Sequence, residues 1–181
     1  MPRYKKDMDI LINQHDVLKM FERAACGEHI ICISLLYITG ARPSEIIELK
    51  KRDFEIREND LLITLITKKL RKPMKRIIPF DIKETPFVEK IIIPYILSLE
   101  DDDELLFSFH TTRRIEQIIE DTSEGRFCPY NFRKNRLSRL GMSGASAHEL
   151  MYFKGAIGLR SISPYLYRNP AVLDRLKDRH K

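Results

Sequence analysis

Three cysteines, with no CxxC pair and no Cys/His cluster, leave this chain of 181 residues without a zinc-finger or disulfide framework. Cys26, Cys32 and Cys128 are odd in number, so one stays unpaired even if two join. Cys26 and Cys32 fall in apolar helical stretches, and buried thiols in a reducing compartment are the expectation. Long hydrophobic runs are absent too. The longest, Ile30–Ile38 and Ile91–Leu97, are too short to span a bilayer. The charged start, Met1-Pro2-Arg3-Tyr4-Lys5-Lys6, leads into no secretory apolar run. No repeat and no low-complexity tract is visible. These absences exclude a disulfide-stapled secreted module and a membrane span, and point to a cytoplasmic protein.

What is present fits one domain with a tail. Hydrophobic residues make up 43% of the chain, enough for a core, and charged residues 32%. Lysine and arginine total 32 against 26 acidic residues, a formal charge of +6. A basic balance suits a polyanion, whose neutralised phosphates release counterions, but many basic proteins never touch nucleic acid.

Hydrophobic periodicity predicts a mainly α protein with one small antiparallel β-sheet, an α+β fold. Asn13 or Asp16 caps a first helix through Val17–Ala25, ended by Gly27. His29–Ile38 reads as a buried second helix broken by Gly40, and Ser44–Leu49 as a short third one behind Pro43. Phe54–Ile56, Leu61–Thr67 and Arg76–Phe80 are rich in β-branched and aromatic residues and read as about three strands. Helices follow over Thr85–Leu99, Thr111–Asp121, Pro129–Leu140 and Ala147–Phe153. Pro170–His180 closes the chain as a charged amphipathic helix. Asp101–Glu104 reads as a solvated acidic turn, not a metal site, because no partnering ligands are spaced around it.

Four places can carry chemistry. Arg42, between a glycine turn and a helix start, suits bidentate phosphate contact, with backbone amides aimed at the same anion. The blander reading is a helix-end ion pair with Glu45, and a glutamate can also hold a catalytic arginine in place. Lys68, Lys69, Arg71, Lys72, Lys75 and Arg76 crowd one strand connection. Most of them read as a solvated hairpin resting on DNA backbone, while one lysine could reach a minor groove and protonate a leaving 5′-oxygen. Tyr130 and Arg133, three apart on a basic helix with Lys134 and Arg136, can address one phosphate. Tyr165, in Ser161-Ile162-Ser163-Pro164-Tyr165-Leu166-Tyr167, is a candidate nucleophile flanked by Arg160 and Arg168. Taken singly, it reads as a packing residue. Two arginines gripping one phosphate and a phenol attacking it would make an enzyme that cuts DNA by joining to it.

The combination resembles the catalytic domain of the tyrosine recombinases, the phage-integrase family. Leu35-Leu36-Tyr37-Ile38-Thr39-Gly40-Ala41-Arg42-Pro43-Ser44-Glu45-Ile46-Ile47-Glu48-Leu49 is similar to that family's first arginine box. Asp53-Phe54-Glu55-Ile56 and the hairpin ending Lys75-Arg76-Ile77-Ile78-Pro79-Phe80 resemble the strands that follow it. Tyr130-Asn131-Phe132-Arg133 falls where His-x-x-Arg belongs, and Phe153-Lys154-Gly155-Ala156 where a Leu-Gly-His turn is usual. The resemblance runs from about Gln14 to Arg168. It implies that Arg42 and Arg133 clamp the scissile phosphate and that Tyr165 forms a 3′-phosphotyrosine. A hairpin lysine, Lys69 with Lys68 and Arg71 as rivals, would be the general acid. Tyr130 would donate to a phosphate oxygen, and Lys68, Arg71, Lys72, Lys75, Lys134 and Arg136 would bind DNA backbone. No metal or nucleotide cofactor is implied.

Two departures stand out. Tyr130 replaces the first histidine, as in some integrases of archaeal viruses and plasmids, and Ala156 stands at the second. Lys154, the Gly155 amide or Arg160 are replacements; the alternative is an impaired DNA-binding relic acting as a regulator or architectural protein. His148 is nearest in sequence and reads as a solvated helix position. Only Met1–Gln14 precedes the catalytic-like region, so the family's N-terminal core-binding module is read as lacking, as in an excised catalytic fragment or a minimal recombinase. The reaction class implies double-stranded DNA as partner and a homo-tetramer on it, assembled from monomers free in solution. Asn169–Lys181 would pack on a neighbouring copy or fold back as an ordinary helix.

Overall fold

The computed structural model describes residues 11–68 and 73–166. The sequence-predicted helix at Pro170–His180 lies outside them, as do Lys69, Arg71, Lys72, Tyr167 and Arg168.

Asn13 opens helix α1 (Gln14–Glu22) with a capping box. Its side chain accepts from the Asp16 amide, and the Asp16 carboxylate accepts from its own. Helix α2 (Gly27–Thr39) is the spine of the molecule. Ile31, Cys32, Ile33, Leu35, Leu36 and Ile38 are all buried there, because α1, α5 (Thr112–Thr122) and α6 (Pro129–Met142) pack around it. Each such Leu or Ile contributes about 1.5–3 kcal/mol by leaving water. Gly40 ends α2 at φ +58°, and a Cβ there would lie 2.9 Å from the Cβ of Arg136. Glycine therefore serves both the left-handed cap and the close crossing over α6.

Two local expectations change here. Gly27 begins α2 instead of ending α1, so Cys26 is an exposed cap residue and not a buried thiol. Cys32 is buried, and burial pushes its thiol up to about 12.

Helix α3 is one turn (Pro43–Ile46), shorter than the spacing predicts. The sheet is antiparallel, in the order β1 (Phe54–Ile56), β2 (Asp60–Thr67), β3 (Met74–Asp81). The β2–β3 register runs from Asp60 opposite Asp81 to Thr67 opposite Met74. Along β3 the alternation buries Arg76, Ile78 and Phe80 and exposes Lys75, Ile77 and Pro79. Arg76 is thus fully buried, not part of a solvated basic hairpin, because strand period 2 assigns it to the core face.

The stretch expected as one helix over Thr85–Leu99 contains a π-helical turn (Val88–Ile92) ahead of α4 (Ile93–Ser98). Pro94 explains it, since its ring has no N–H to donate and collides with the carbonyl four residues back unless the turn widens. The acidic loop folds onto the basic corner before β1, where Asp103 meets Lys50 at 2.8 Å and Arg52 at 2.6 Å.

Helix α7 (Ala147–Lys154) is capped by Ser146 and stopped by Gly155 at φ +61°. It docks on β3 edge-on. The Ile77 amide donates to the Tyr152 hydroxyl at 2.8 Å, and Arg76 Nη1 donates to the Phe153 carbonyl. The last described helix, α8 (Ser163–Leu166), joins Leu137 and Leu150 in a second, smaller core with Ile162 and Tyr165. Among the described residues no helix is long and apolar enough to cross a membrane.

Candidate active site

The site is built where α3, α6 and the α7 C-terminus meet. Glu45, 5% exposed, is its hub. Its carboxylate receives the Arg42 amide at 2.9 Å, Arg42 Nη1 at 2.8 Å and the Thr67 hydroxyl at 2.7 Å. Arg76 Nη2 stands 2.9 Å from the same Oε1, out of line for a hydrogen bond. Burial pushes the Glu45 carboxyl up. The Arg76 charge, the Arg42 amide, the Thr67 hydroxyl and the Arg42 charge together outweigh it, so the group stays below the ordinary carboxylate value.

Arg133 is 7% exposed. It donates from Nη1 to the Gly40 carbonyl at 2.9 Å and from Nη2 to the Lys154 carbonyl. These bonds fix the guanidinium between the ends of α2 and α7, whose carbonyls no helical N–H can reach. Burial, and then the charge of Arg42, push its pKa down to about 10, and Arg76 acts the same way; Glu45 and Tyr165 oppose them. Two guanidinium groups, those of Arg42 and Arg76, therefore pair with one carboxylate, and Arg133 adds a third charge held by backbone carbonyls. The surplus positive charge, held out of water by the fold, is what an incoming anion would neutralise.

That charge borders a cavity of about 820 Å³, lined among others by Arg42, Ser44, Tyr130, Arg133 and Lys154. Tyr130, 48% exposed, sits at its rim one helical turn before Arg133. Tyr165 is not in the lining. It is 6% exposed, in the second core. Lys154 connects the two, since it lines the cavity and its ammonium lies 5.3 Å from the centre of the Tyr165 ring.

The other expected contacts spread out. Lys68, at the end of β2, pairs with Glu48 at 2.5 Å on the surface, while Lys75 is exposed on β3. Lys134 is half-buried on α6. Arg136 turns from the cavity to lie over the Phe153 ring at 5.4 Å, beside a separate pocket of about 220 Å³ that Arg139 also lines. Arg160 and His148 are exposed.

Sequence reasoning missed the buried role of Arg76, although its place in the alternation with Ile78 and Phe80 carries the signal. It also missed Glu116 and Glu120 on α5, four residues apart on one face, which line the same cavity as the arginines.

Residues 4–169 match the model of the phage integrase family. The crystal structure of XerA recombinase superposes with a TM-score of 0.66 at 19% identity, over 100% of this chain and 66% of that one. XerH site-specific recombinase bound to its difH substrate, a pre-cleavage complex, gives 0.61 at 16% identity, over 86% of this chain and 49% of that one. The catalytic domain of bacteriophage HP1 integrase gives 0.60 at 18% identity, over 91% and 90%. The chain thus spans about two thirds of XerA and about half of XerH. No curated protein matches it. The mainly helical fold with its small sheet is that of a tyrosine recombinase catalytic domain, and the chain belongs to the phage integrase family.

Proposed function

We propose that this protein is a site-specific DNA recombinase that cuts and rejoins strands through a 3′-phosphotyrosine on Tyr165. The observation that carries the reading is the convergence of Arg42 and Arg133 on one cavity whose lining also includes Lys154, the residue that reaches to 5.3 Å from the Tyr165 ring. In the proposed step the Tyr165 oxygen attacks the phosphorus and gives up its proton to solvent. The P–O5′ bond breaks, and a hairpin lysine, Lys69 or its neighbour Lys68, returns a proton to the 5′-oxygen. Arg42 and Arg133 meet the growing charge on the non-bridging oxygens. Fixed donors of this kind are worth about 10²–10³ each in rate. Tyr130 supplies a further donor at the rim. The phosphotyrosine keeps the bond energy, so a 5′-hydroxyl from another strand reverses the step.

Lys68, Arg71, Lys72, Lys75 and Lys134 would hold the DNA backbone on either side. Arg136 joins them only by leaving its seat over Phe153. The working form would be a homo-tetramer on double-stranded DNA, assembled from monomers in the cytoplasm and requiring no metal. Solved relatives include complexes with DNA, among them XerH with difH and the Tn1549 transposon integrase with circular-intermediate DNA. No structural observation favours the binding-only alternative.

A suicide substrate tests the reading. Nicked DNA carrying a site from the protein's own genetic context should yield a covalent protein–DNA band on a denaturing gel, lost in Tyr165→Phe. DNA binding without a band, at all salts and temperatures, would sink it.

A further inference from the structure

We propose that Lys154 is a catalytic residue, a third cation that binds the scissile phosphate and stabilises the phenolate of Tyr165. The proposal rests on the strand-transfer reading above and deepens it. Lys154 is the last residue of α7, and Gly155 in the left-handed conformation turns the chain away immediately behind it. Lys154 lines the same cavity as Arg42 and Arg133, and its ammonium is 5.3 Å from the Tyr165 ring centre. Of three ammonium donors, one goes to the Ser161 carbonyl, in the turn just ahead of α8. The remainder can face the cavity. Neither Tyr130 nor Ala156 brings a cation to this place. A tyrosine buried in an apolar cluster loses its proton only if the charge left behind is met, and this ammonium can meet it.

The side chain is held from two directions. Its own carbonyl accepts from Arg133, so the lysine backbone and the phosphate-binding guanidinium are positioned together. Burial, and then the charges of Arg133 and Arg42, lower the Lys154 pKa below its ordinary value. The charged and polar groups around it are Arg42, Arg133, Tyr165 and the Ser161 carbonyl, with Glu116 and Glu120 lining the same cavity. In the step itself the ammonium keeps its protons. The phenol proton leaves to solvent, the O–P bond forms as the P–O5′ bond breaks and the hairpin lysine protonates the leaving 5′-oxygen, and Lys154 compensates charge on the phenolate and then on the pentavalent phosphorus.

Two readouts test this on the whole protein. In the first, ¹³Cζ-tyrosine labelling follows the ionisation of Tyr165, assigned by its loss in Tyr165→Phe. Lys154→Gln should make that phenol about tenfold less acidic, while Lys154→Arg leaves it unchanged; equal titration in all three overturns the proposal. In the second, adduct formation on the suicide substrate should fall about 10²-fold in Lys154→Gln, in line with the loss of one preorganised donor. It should persist in Lys154→Arg. The wild-type rate should also decline at alkaline pH, before an ordinary lysine would titrate, and the arginine variant should lack that decline. A loss of rate in both variants that tracks a lowered Tm marks a structural tie to Ser161 and overturns the proposal. Absence of adduct from the wild type overturns the strand-transfer reading instead, and the titration still decides whether Lys154 governs Tyr165.

Discussion

The two halves of the candidate site are held by different physics. The arginine half grows out of the main core, with Arg76 paired to Glu45 and bonded to the Phe153 carbonyl, and Arg133 held by backbone carbonyls at the ends of α2 and α7. The tyrosine half rests on a satellite cluster of Leu137, Leu150, Ile162 and Tyr165. Buried ion networks are rigid because each displaced charge is left unmet. A small apolar cluster resists motion only by the area it hides, so it opens at lower cost. A phosphate receptor gains from the first property and a nucleophile that must reach phosphorus gains from the second.

Removing the hub should break the contrast most severely. Glu45→Ala leaves Arg76, 0% exposed, without its carboxylate, and such uncompensated charges cost about 3–5 kcal/mol. Urea denaturation should show that loss, and a change under about 1 kcal/mol would mean that water or backbone screens Arg76 instead. The same hub sets an acid limit. The folded pKa of Glu45 lies below its ordinary value, so its contribution is complete above the ordinary carboxylate range and declines as pH falls through the folded value. The melting temperature of Glu45→Gln should therefore be less acid-sensitive than that of the wild type.

Gly155→Ala comes next. Alanine at φ +61° costs about 1–2 kcal/mol, and its Cβ would lie 2.5 Å from Thr67 Oγ1 and 2.9 Å from Arg76 Nε. Both neighbours belong to the hub, so this variant should lose stability and adduct formation together.

Much of this was legible in the chain, for identifiable reasons. The sheet and α5 follow from periodicity and from the Thr111 cap, which local sequence alone specifies. Arg42 with Glu45 is readable as a pair because one helical turn brings them together. The burial of Arg76 is harder to read, since basic neighbours mask a strand alternation that only a packed sheet enforces. The seat of Arg136 was not readable at all. On α6 it lies one turn from Arg133, yet the Gly40 crossing takes its stem and Phe153 takes its guanidinium, both through tertiary contact. Lys154 is intermediate, since its place beside a stopping glycine is in the sequence and its proximity to Tyr165 depends on the satellite core.

The gentlest probe of the contrast is Gly141→Ala, on the face of α6 beneath the satellite core. A Cβ there collides with the Tyr165 carbonyl oxygen, whereas the contacts of Arg133, two turns earlier, lie at Gly40 and Lys154. Overpacking of this kind costs about 1–3 kcal/mol when nothing can move. Because α8 is a single turn on a small cluster, it should shift and relieve most of that cost, leaving a loss under about 1 kcal/mol. Hydrogen exchange should then accelerate over residues 159–166 with α2 unchanged, and adduct formation should fall while DNA affinity holds. A cooperative loss across α2 and α8 alike would show that nucleophile and receptor share one core, and the contrast between the two halves would be gone.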